Sequence, residues 1–598
     1  MPSPPQAGER LPLDLKLAFG APTFASAALA IPVAIHMTKF YADVVQVPLG
    51  LLGIAIAVAR AFDAVTDPLM GWLSDCTRTR WGRRRPYLAL GAPLCALSFW
   101  LLFTPPAGLA GRAAALWFGT CFVLYYLFHT VYLVPHLALG PELTPDYHER
   151  SSLFGVREAF LILGTLSAAM LPGVLAGAGG ERLALSRFAL IFGALLVALY
   201  AWLVIRVRER PEHRLRPPNP LVPGVRRCLR NRPFVLLLVT SVLAAVPGAM
   251  TATLIPFFTH YVLRAPEPQR WLAVLLGTYF GVAFVCLPAW LWLARRFGKR
   301  PVWLASFVGC GSGALSLFLL RPGDLGPAVA CLAWSGTGFG AIMFLSLAIK
   351  ADVIDYDELL TGRRREAQFM SLWSLIPKFV TIPAAAIPVA LLGSAGYVPN
   401  AVQHPDVVLA IRVLIGLVPA LIFGVAFAVG WRLPLDEAAH RAVLAGIEAH
   451  RAGRPARDPL RGGHLPPPLQ RDVPDAEGWR LDHFSRGELE RLGRSGPGRL
   501  LRDVLAAGAA AFALCAAACS FVAASVRDLA SEPGAAAVVG VVVAGLAFSA
   551  GVFHALRLLP AWRMRRQPPA PGVVAAHLRA LALGGAPRAA DRAAPAAG

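Results

Sequence analysis

The chain has little charge for its size, because only 15% of its 598 residues are Asp, Glu, Lys or Arg while 56% are hydrophobic. That shortage excludes a soluble globule of this length, which needs far more polar surface, and points to a protein that crosses a membrane many times. Lysine is scarcer still. Only five of the 57 basic residues are lysines, namely Lys16, Lys39, Lys299, Lys350 and Lys378. The nine cysteines are scattered, with neither metal-ligand spacing nor a disulfide framework, and Cys515 and Cys519 share one face of an Ala-rich helix as small hydrophobes. There is no phosphate-cradling glycine loop, no nucleophile with a base at recognisable spacing and no metal-ligand histidine pattern, which argues against an ATP-driven pump or a membrane enzyme. No charged n-region with a short apolar core and cleavage site opens the chain, so the first apolar run is expected to be retained. The formal charge of +22 does not mark a nucleic-acid binder, because the arginines cluster in short connections between apolar runs, where they set topology.

Apolar runs of about 20 residues are long enough to cross a bilayer. Such runs lie near 15–38, 49–74, 87–107, 113–135, 152–178 and 185–206. After the basic segment 206–232, with nine arginines and several prolines, six more lie near 233–263, 271–294, 302–320, 326–352, 367–394 and 406–431. Basic clusters follow runs two, six, eight and ten, which places both ends of this twelve-span unit and the 207–232 linker in the cytoplasm. The stretch WLSDCTRTRWGRRRPYL is echoed by WLARRFGKRPVWL, one closing the second run of each half, and duplicated six-helix halves with a solute between them are a recurrent transporter plan. The expected architecture is an all-α polytopic membrane protein of two six-helix bundles, 15–206 and 233–431, preceded by a cytoplasmic segment at 1–14. Beyond it lie a polar cytoplasmic linker at 432–501, a further membrane hairpin at 502–560 for fourteen spans in all, and a basic tail at 561–598 whose last thirty or so residues are expected to be disordered. Ser485 and Glu488 have capping-box spacing, with Phe484 and Leu489 placed to staple across it, so a short helix should begin at Arg486.

Within the second run, Asp63 and Asp67 stand four residues apart on one helical face. A carboxylate at mid-membrane costs roughly 2.5 to 3.5 kcal/mol on insertion scales, so a pair of them is a functional-site hypothesis. Pro68 withholds an amide hydrogen and frees the Ala64 carbonyl beside them. An all-oxygen cage suits a hard cation such as sodium, and two like charges one turn apart equally favour proton uptake. The alternative is a structural pairing with buried basic groups. Lys378, the only charged residue of LWSLIPKFVTIP, is too deep to snorkel easily and is a candidate counter-ion.

The ordered set FYADVV, RAFDAVTDPLMGWLSDCTRTRWGRRRP, PELTPDYHER, ADVIDYDELLTGRRRE and GYVPN resembles the glycoside-pentoside-hexuronide:cation symporters, the melibiose-permease branch of the major facilitator superfamily, to which sodium-dependent lysophospholipid transporters also belong. The resemblance spans 15–431 and implies the major facilitator fold, with Asp63 and Asp67 as the cation-binding carboxylates and Lys378 as the mid-membrane lysine. It also implies that Arg157 is the helix-five arginine facing the solute cavity, the alternative being an interfacial pairing with Glu158 or phosphate. Two positions depart from the sugar-transporting members. Leu133 stands where a third carboxylate is expected, leaving Thr130 as a hydroxyl one turn earlier, and the acid-free run around Ala27 replaces a sugar-binding acid. The loop with Asp75, Arg78, Gly82, Arg83 and Arg84 resembles the superfamily loop after the second helix, and with Asp352 and Asp355 it is a candidate cytoplasmic gate, or else a solvated topology signal.

The resulting expectation is a secondary transporter of the cell membrane, not an enzyme, with sodium or protons coupled to a sugar-like solute by alternating access. It has no cofactor beyond the transported ion, no nucleic-acid partner, and a monomer suffices. The alternatives are transport of a lysophospholipid or other amphiphile and, less favoured, a transport-inactive sensor or scaffold with 432–598 as its output.

Overall fold

The computed structural model describes residues 11–143, 147–175, 180–207, 209, 221–362, 366–467, 480–527 and 535–583. Because hydrocarbon offers no hydrogen-bond partners, each apolar run must satisfy its backbone internally, and each one folds as a helix. The first half contains α1 (Leu13–Val44), α2 (Leu49–Cys76), α3 (Arg85–Phe103), α4 (Gly111–Leu143), α5 (Tyr147–Leu175) and α6 (Gly180–Arg206). The second contains α7 (Arg232–Val262), α8 (Pro268–Val285 and Leu287–Phe297, bent by 40°), α9 (Lys299–Leu319), α10 (Leu325–Thr361), α11 (Glu366–Ser394) and α12 (Pro405–Gly430). The extra hairpin is α13 (Pro497–Arg527) and α14 (Ala535–Arg566). Among the described residues 13 helices are long and apolar enough to cross a membrane, or 14 when the bent α8 counts as one span. Pro288 follows the bend at Cys286, where it cannot continue the helical ladder.

The halves meet along three seams: α1 against α7, α2 against α11 and α5 against α8. Small residues let the α2–α11 seam close. A Cβ on Gly53 would sit 3.2 Å from the Ala386 carbonyl oxygen of α11 and 3.4 Å from Val538 of α14, so these three helices share one tight crossing. The extra hairpin is therefore no remote appendage, because α14 packs along both α2 and α11 and lies over that seam.

Residues 432–501 are more structured than their Arg-, Pro- and Gly-rich composition suggests. A helix at Glu437–Arg451 packs on α10, and a two-stranded antiparallel ribbon pairs Ala456 with Leu465 and Arg457 with His464. The expected short helix is present at Arg486–Ser495 with a complete Ser485–Glu488 capping box, and Phe484 and Leu489 are buried together. The tail also differs from expectation: α14 continues to Arg566, and Pro571–Leu583 is helical and docks on the same small core through Val574. A few apolar side chains within a polar stretch suffice because α14 supplies the other wall, with Ala561 and Met564.

Ion pairs tie this module to the linker between the halves. Arg557 of α14, 1% exposed, reaches Glu488 at 2.6 Å, and Glu488 also meets Arg226 at 3.5 Å. Asp482 takes Arg227 and, at 2.8 Å, Arg230. Against the opposing effect of burial, Arg557 and the Ser485 donors hold the Glu488 carboxyl down at about 2, and His577 with Arg227 and Arg230 holds Asp482 lower still.

Candidate functional site

At the middle of the bundle, α2, α4 and α11 bring four polar side chains together. Lys378 Nζ of α11 lies 2.8 Å from Asp63 Oδ2 and 2.6 Å from Asp67 Oδ2. On the other side, the Thr130 hydroxyl of α4 lies 2.9 Å from Oδ1 of each aspartate. Asp63 is 5% exposed and Thr130 1%, whereas the side chains of Asp67 and Lys378 are 16% and 27% exposed, so the site is enclosed on the Asp63–Thr130 side and borders accessible space on the other. A hydroxyl has one proton to donate, so at any moment it can satisfy only one of the two carboxylates. The second Thr130 contact is left for a proton on the other acid or for a cation seated between them. Four oxygens converge here, two from each carboxylate, with the threonine oxygen as a fifth. Lys378 occupies the place an added cation would take.

Leu133, one turn beyond Thr130, packs against apolar neighbours and adds no charge to this site. The pair of acids and Lys378 bridge the two halves, since α2 belongs to the first and α11 to the second.

A second polar cluster joins the halves at the end of the bundle away from the 207–232 linker. Buried Asp43 of α1 pairs with Lys39 at 2.7 Å and accepts from the Tyr261 hydroxyl of α7 at 2.8 Å. Tyr397, beyond α11, donates to its other oxygen, and Asn400 Nδ2 donates to the Asp43 carbonyl at 2.7 Å. Both α1 and α7 end in a wide π-type turn here, at Phe40–Val44 and Phe258–Val262, and such turns re-aim side chains at functional positions. One carboxylate thus gathers donors from both halves into a closed latch.

Residues 18–437 match the model of a family described as MFS/sugar transport protein. The chain belongs to that family. It is 28% identical over 425 residues to a glucuronide carrier protein homolog of Escherichia coli, a match covering 69% of this chain and 91% of that protein. It is 26% identical over 428 residues to a putative glycoside/cation symporter of the same organism, covering 70% and 91% respectively. The fold matches that of a bacterial homolog of the human lysosomal transporter Spinster, solved inward-facing and unoccupied, with a TM-score of 0.53 at 14% identity over 73% of this chain and 97% of that one. Residues 438–598 lie beyond the family match, so the module and hairpin described above are additions to the MFS/sugar transport unit.

The structure does not bring every expected site residue to the centre of this MFS/sugar transport protein. Arg157 pairs with its neighbour Glu158 and lies where α5 packs on α1, its Cα 3.3 Å from where a Cβ on Gly20 would stand. It makes no described contact with Asp63, Asp67 or Lys378, and its Nε is buried without a partner. Adjacency in sequence supplied a nearer acid than the cavity did.

The expected gate residues have partners in the linker, in the 432–501 module and on α9. Asp352 receives Lys299 at 2.7 and 2.8 Å, and His440 Nε2 stands 3.0 Å from Asp355 and 3.6 Å from Asp352. These donors could surround a metal ion, yet the Lys299 ammonium already serves Asp352. Glu209, at the start of the linker between the halves, lies in the crook of the basic turn: the backbone N–H groups of Arg83, Arg84 and Arg85 donate to it at 2.7, 2.7 and 2.9 Å. This is a carboxylate held at the N-terminus of α3, where unpaired amides and the helix dipole favour an anion. Gly82 has φ +119°, and a Cβ there would come 2.6 Å from Glu209 Oε1, so both the turn and the seated carboxylate require glycine. Arg78 is exposed, and the Asp75 side chain lies outside the described residues.

Four residues of these clusters carry weaker sequence signals. Asp43 and its i+4 partner Lys39 were legible as a charged pair ending an apolar run, Glu209 had no signal beyond the Arg-rich linker around it, and Arg60 stood one turn ahead of Asp63 on the same face.

Proposed function

We propose that this member of the MFS/sugar transport family is a secondary symporter in which a sodium ion or proton binding at Asp63 and Asp67 is coupled to movement of a sugar or glycoside-like solute. The observation that carries the reading is the double salt bridge of Lys378 to both acids across the two halves. A cation entering between the carboxylates must displace the ammonium, which loosens the α2–α11 bond and turns Lys378 toward the open space beside it. Loss of that bond is how cation binding would bias the rocking of the halves. The relatives named as a glucuronide carrier and a glycoside/cation symporter support a sugar-like cargo and a cation partner.

The Asp43 latch acts in this scheme as the outer closure, opening when the solute site faces outward. Both linkers and both chain ends lie in the cytoplasm, and the protein works in the cell membrane with no cofactor other than the coupling ion. No chemical step is required. A lipid-like amphiphile is the less favoured cargo, because α14 covers the α2–α11 seam through which it would pass sideways. Thr130 completes the cation site, and Arg157 serves as a supporting residue between α1 and α5.

The test is solute counterflow in proteoliposomes, together with cation-dependent thermal shifts of the purified protein. Asp63→Asn and Asp67→Asn should each abolish the cation-induced shift and cation-dependent counterflow. Full retention of the cation effect in both variants would overturn the assignment.

A further inference from the structure

The chain beyond the family match carries a surplus of positive charge that the transport unit does not use. Its antiparallel hairpin sets Phe521 beside Gly540, Phe512 beside Gly551 and Gly508 beside His554, which brings residues 499–502 next to 560–563. Arg499 and Arg502 of α13 and Arg563, Arg565 and Arg566 of α14 therefore stand near one level, where both spans leave the hydrocarbon, and all five are exposed. The acids of 480–503 are engaged by other arginines. Asp482 and Glu488 hold the linker and Arg557 as described above, Glu490 takes Arg486 at 2.7 Å, and Asp503 lies 3.7 Å from Arg491.

Basic residues at a span end also set topology, a role that needs charge and no particular structure. This end is ordered. Arg480 Nη2 donates to the carbonyl oxygens of Arg563 and Gln567 at 3.0 and 2.6 Å, which closes the last turn of α14 and fixes the backbone that carries the arginines. Met564, between them, is buried in the core of the module, so helical geometry turns Arg563, Arg565 and Arg566 away from it. The Arg566 guanidinium lies 4.2 Å from the centre of the Trp562 ring, which is itself 41% exposed. A tryptophan at a span end favours the headgroup layer, and a guanidinium held over its face is within reach of phosphate there. Behind this rim the potential is already positive: burial, and then the neighbouring Arg557, pull the Arg226 guanidinium below its ordinary range despite Glu488.

We propose that this end of the α13–α14 hairpin is a docking site for anionic phospholipid, whose phosphodiester headgroups pair with the rim arginines around Trp562. The guanidinium fork matches two phosphate oxygens. Each arginine near an anionic surface contributes roughly fivefold in affinity, so a group of five separates phosphatidylglycerol from phosphatidylcholine. Most of α13 is unburied, which sets the rim against lipid and not against a soluble partner. Lipid held there also steadies the linker between the halves, because Arg557 of α14 and Arg226 of the linker share Glu488.

The test titrates dioleoyl phosphatidylglycerol, and separately dioleoyl phosphatidylcholine, into the detergent-solubilised full chain and follows hydrogen exchange at 480–502 and 557–583. Phosphatidylglycerol should slow exchange in both segments several-fold, phosphatidylcholine should not, and about 0.5 M NaCl should remove most of the effect. Replacing the three α14 arginines together, Arg563→Gln, Arg565→Gln and Arg566→Gln, should weaken the apparent phosphatidylglycerol affinity at least about tenfold, whereas lysine at the same positions should keep most of it. Arg499→Gln with Arg502→Gln, on the other helix, is read the same way, so the outcome does not hang on the folding of one variant. Arg295→Gln with Arg296→Gln, at the end of α8, should leave the response unchanged. Equal protection by the two lipids overturns the proposal, as do glutamine variants that keep the wild-type response. Inorganic phosphate or polyglutamate protecting as well as the lipid would overturn it too, by pointing to a free anion or an acidic protein.

Discussion

Replacing Lys378 by methionine should tighten cation binding, although it removes a charge from the site. The ammonium lies 2.6 and 2.8 Å from the two carboxylates, so an added cation and Lys378 compete for the same oxygens. Breaking a buried ion pair costs about 3 to 5 kcal/mol, and the 27% exposure of the Lys378 side chain lets water offset roughly half of that. The competitor removed is therefore worth about 1.5 to 2.5 kcal/mol, equal to a roughly ten- to seventyfold gain in apparent sodium affinity. A sodium titration by thermal shift and calorimetry at about pH 8, where protons compete less, measures it. In sodium-free buffer the variant should melt below wild type, because two neighbouring carboxylates lose their shared counter-ion, and sodium should recover more stability than it adds to wild type. An unchanged or weaker sodium affinity in Lys378→Met refutes the competition argument.

Three further outcomes follow from other parts of the fold. Gly82→Ala should destabilise the protein by about 1 to 3 kcal/mol, since it combines a left-handed backbone with a methyl group pressed on Glu209, and Glu209→Gln should relieve part of the loss; detergent-solubilised melting curves check both. Asp43→Asn should speed amide exchange at 40–48 and 257–263 several-fold by weakening the latch between α1 and α7, and unchanged exchange would show that the latch does not hold the halves. Because Glu488 is held at about 2, below its unfolded value of roughly 4.3, its stabilisation is present above the unfolded value and fades as pH falls through the window down to about 2. Limited proteolysis near 480–495 should therefore accelerate below about pH 4.5 in wild type, while Glu488→Gln is cleaved faster at neutral pH and shows a flatter response.

Much of the fold was written in hydropathy. A bilayer imposes a fixed length and forces every apolar run to satisfy its own backbone, so the fourteen spans, the bipartite plan and the extra hairpin follow from run length and arginine placement. Asp63 and Asp67 were equally legible, because charge at mid-membrane is costly wherever it occurs. Segment 432–501 was not. Val443, Ile447 and Leu465 join the core of the second half, while Leu481, Phe484 and Leu492 find their walls in α14 and the 571–583 helix, and composition carries no record of either partnership.

The sequence by itself determined which residues are expensive; only the tertiary structure decided which of them answer one another. Spacing along one helix placed Arg60, Asp63 and Asp67 on a common face, but the crossing of α2 with α11 selected Lys378 as the partner of the acids and left Arg60 without one. Arg157 shows the same limit from the other side, since Glu158 pairs with it, and Glu209 is seated by the backbone amides of the basic turn, a contact that no spacing announces. Local periodicity fixes a side chain's direction on its own helix, whereas ion pairs between residues more than three hundred positions apart depend on how the two bundles come together.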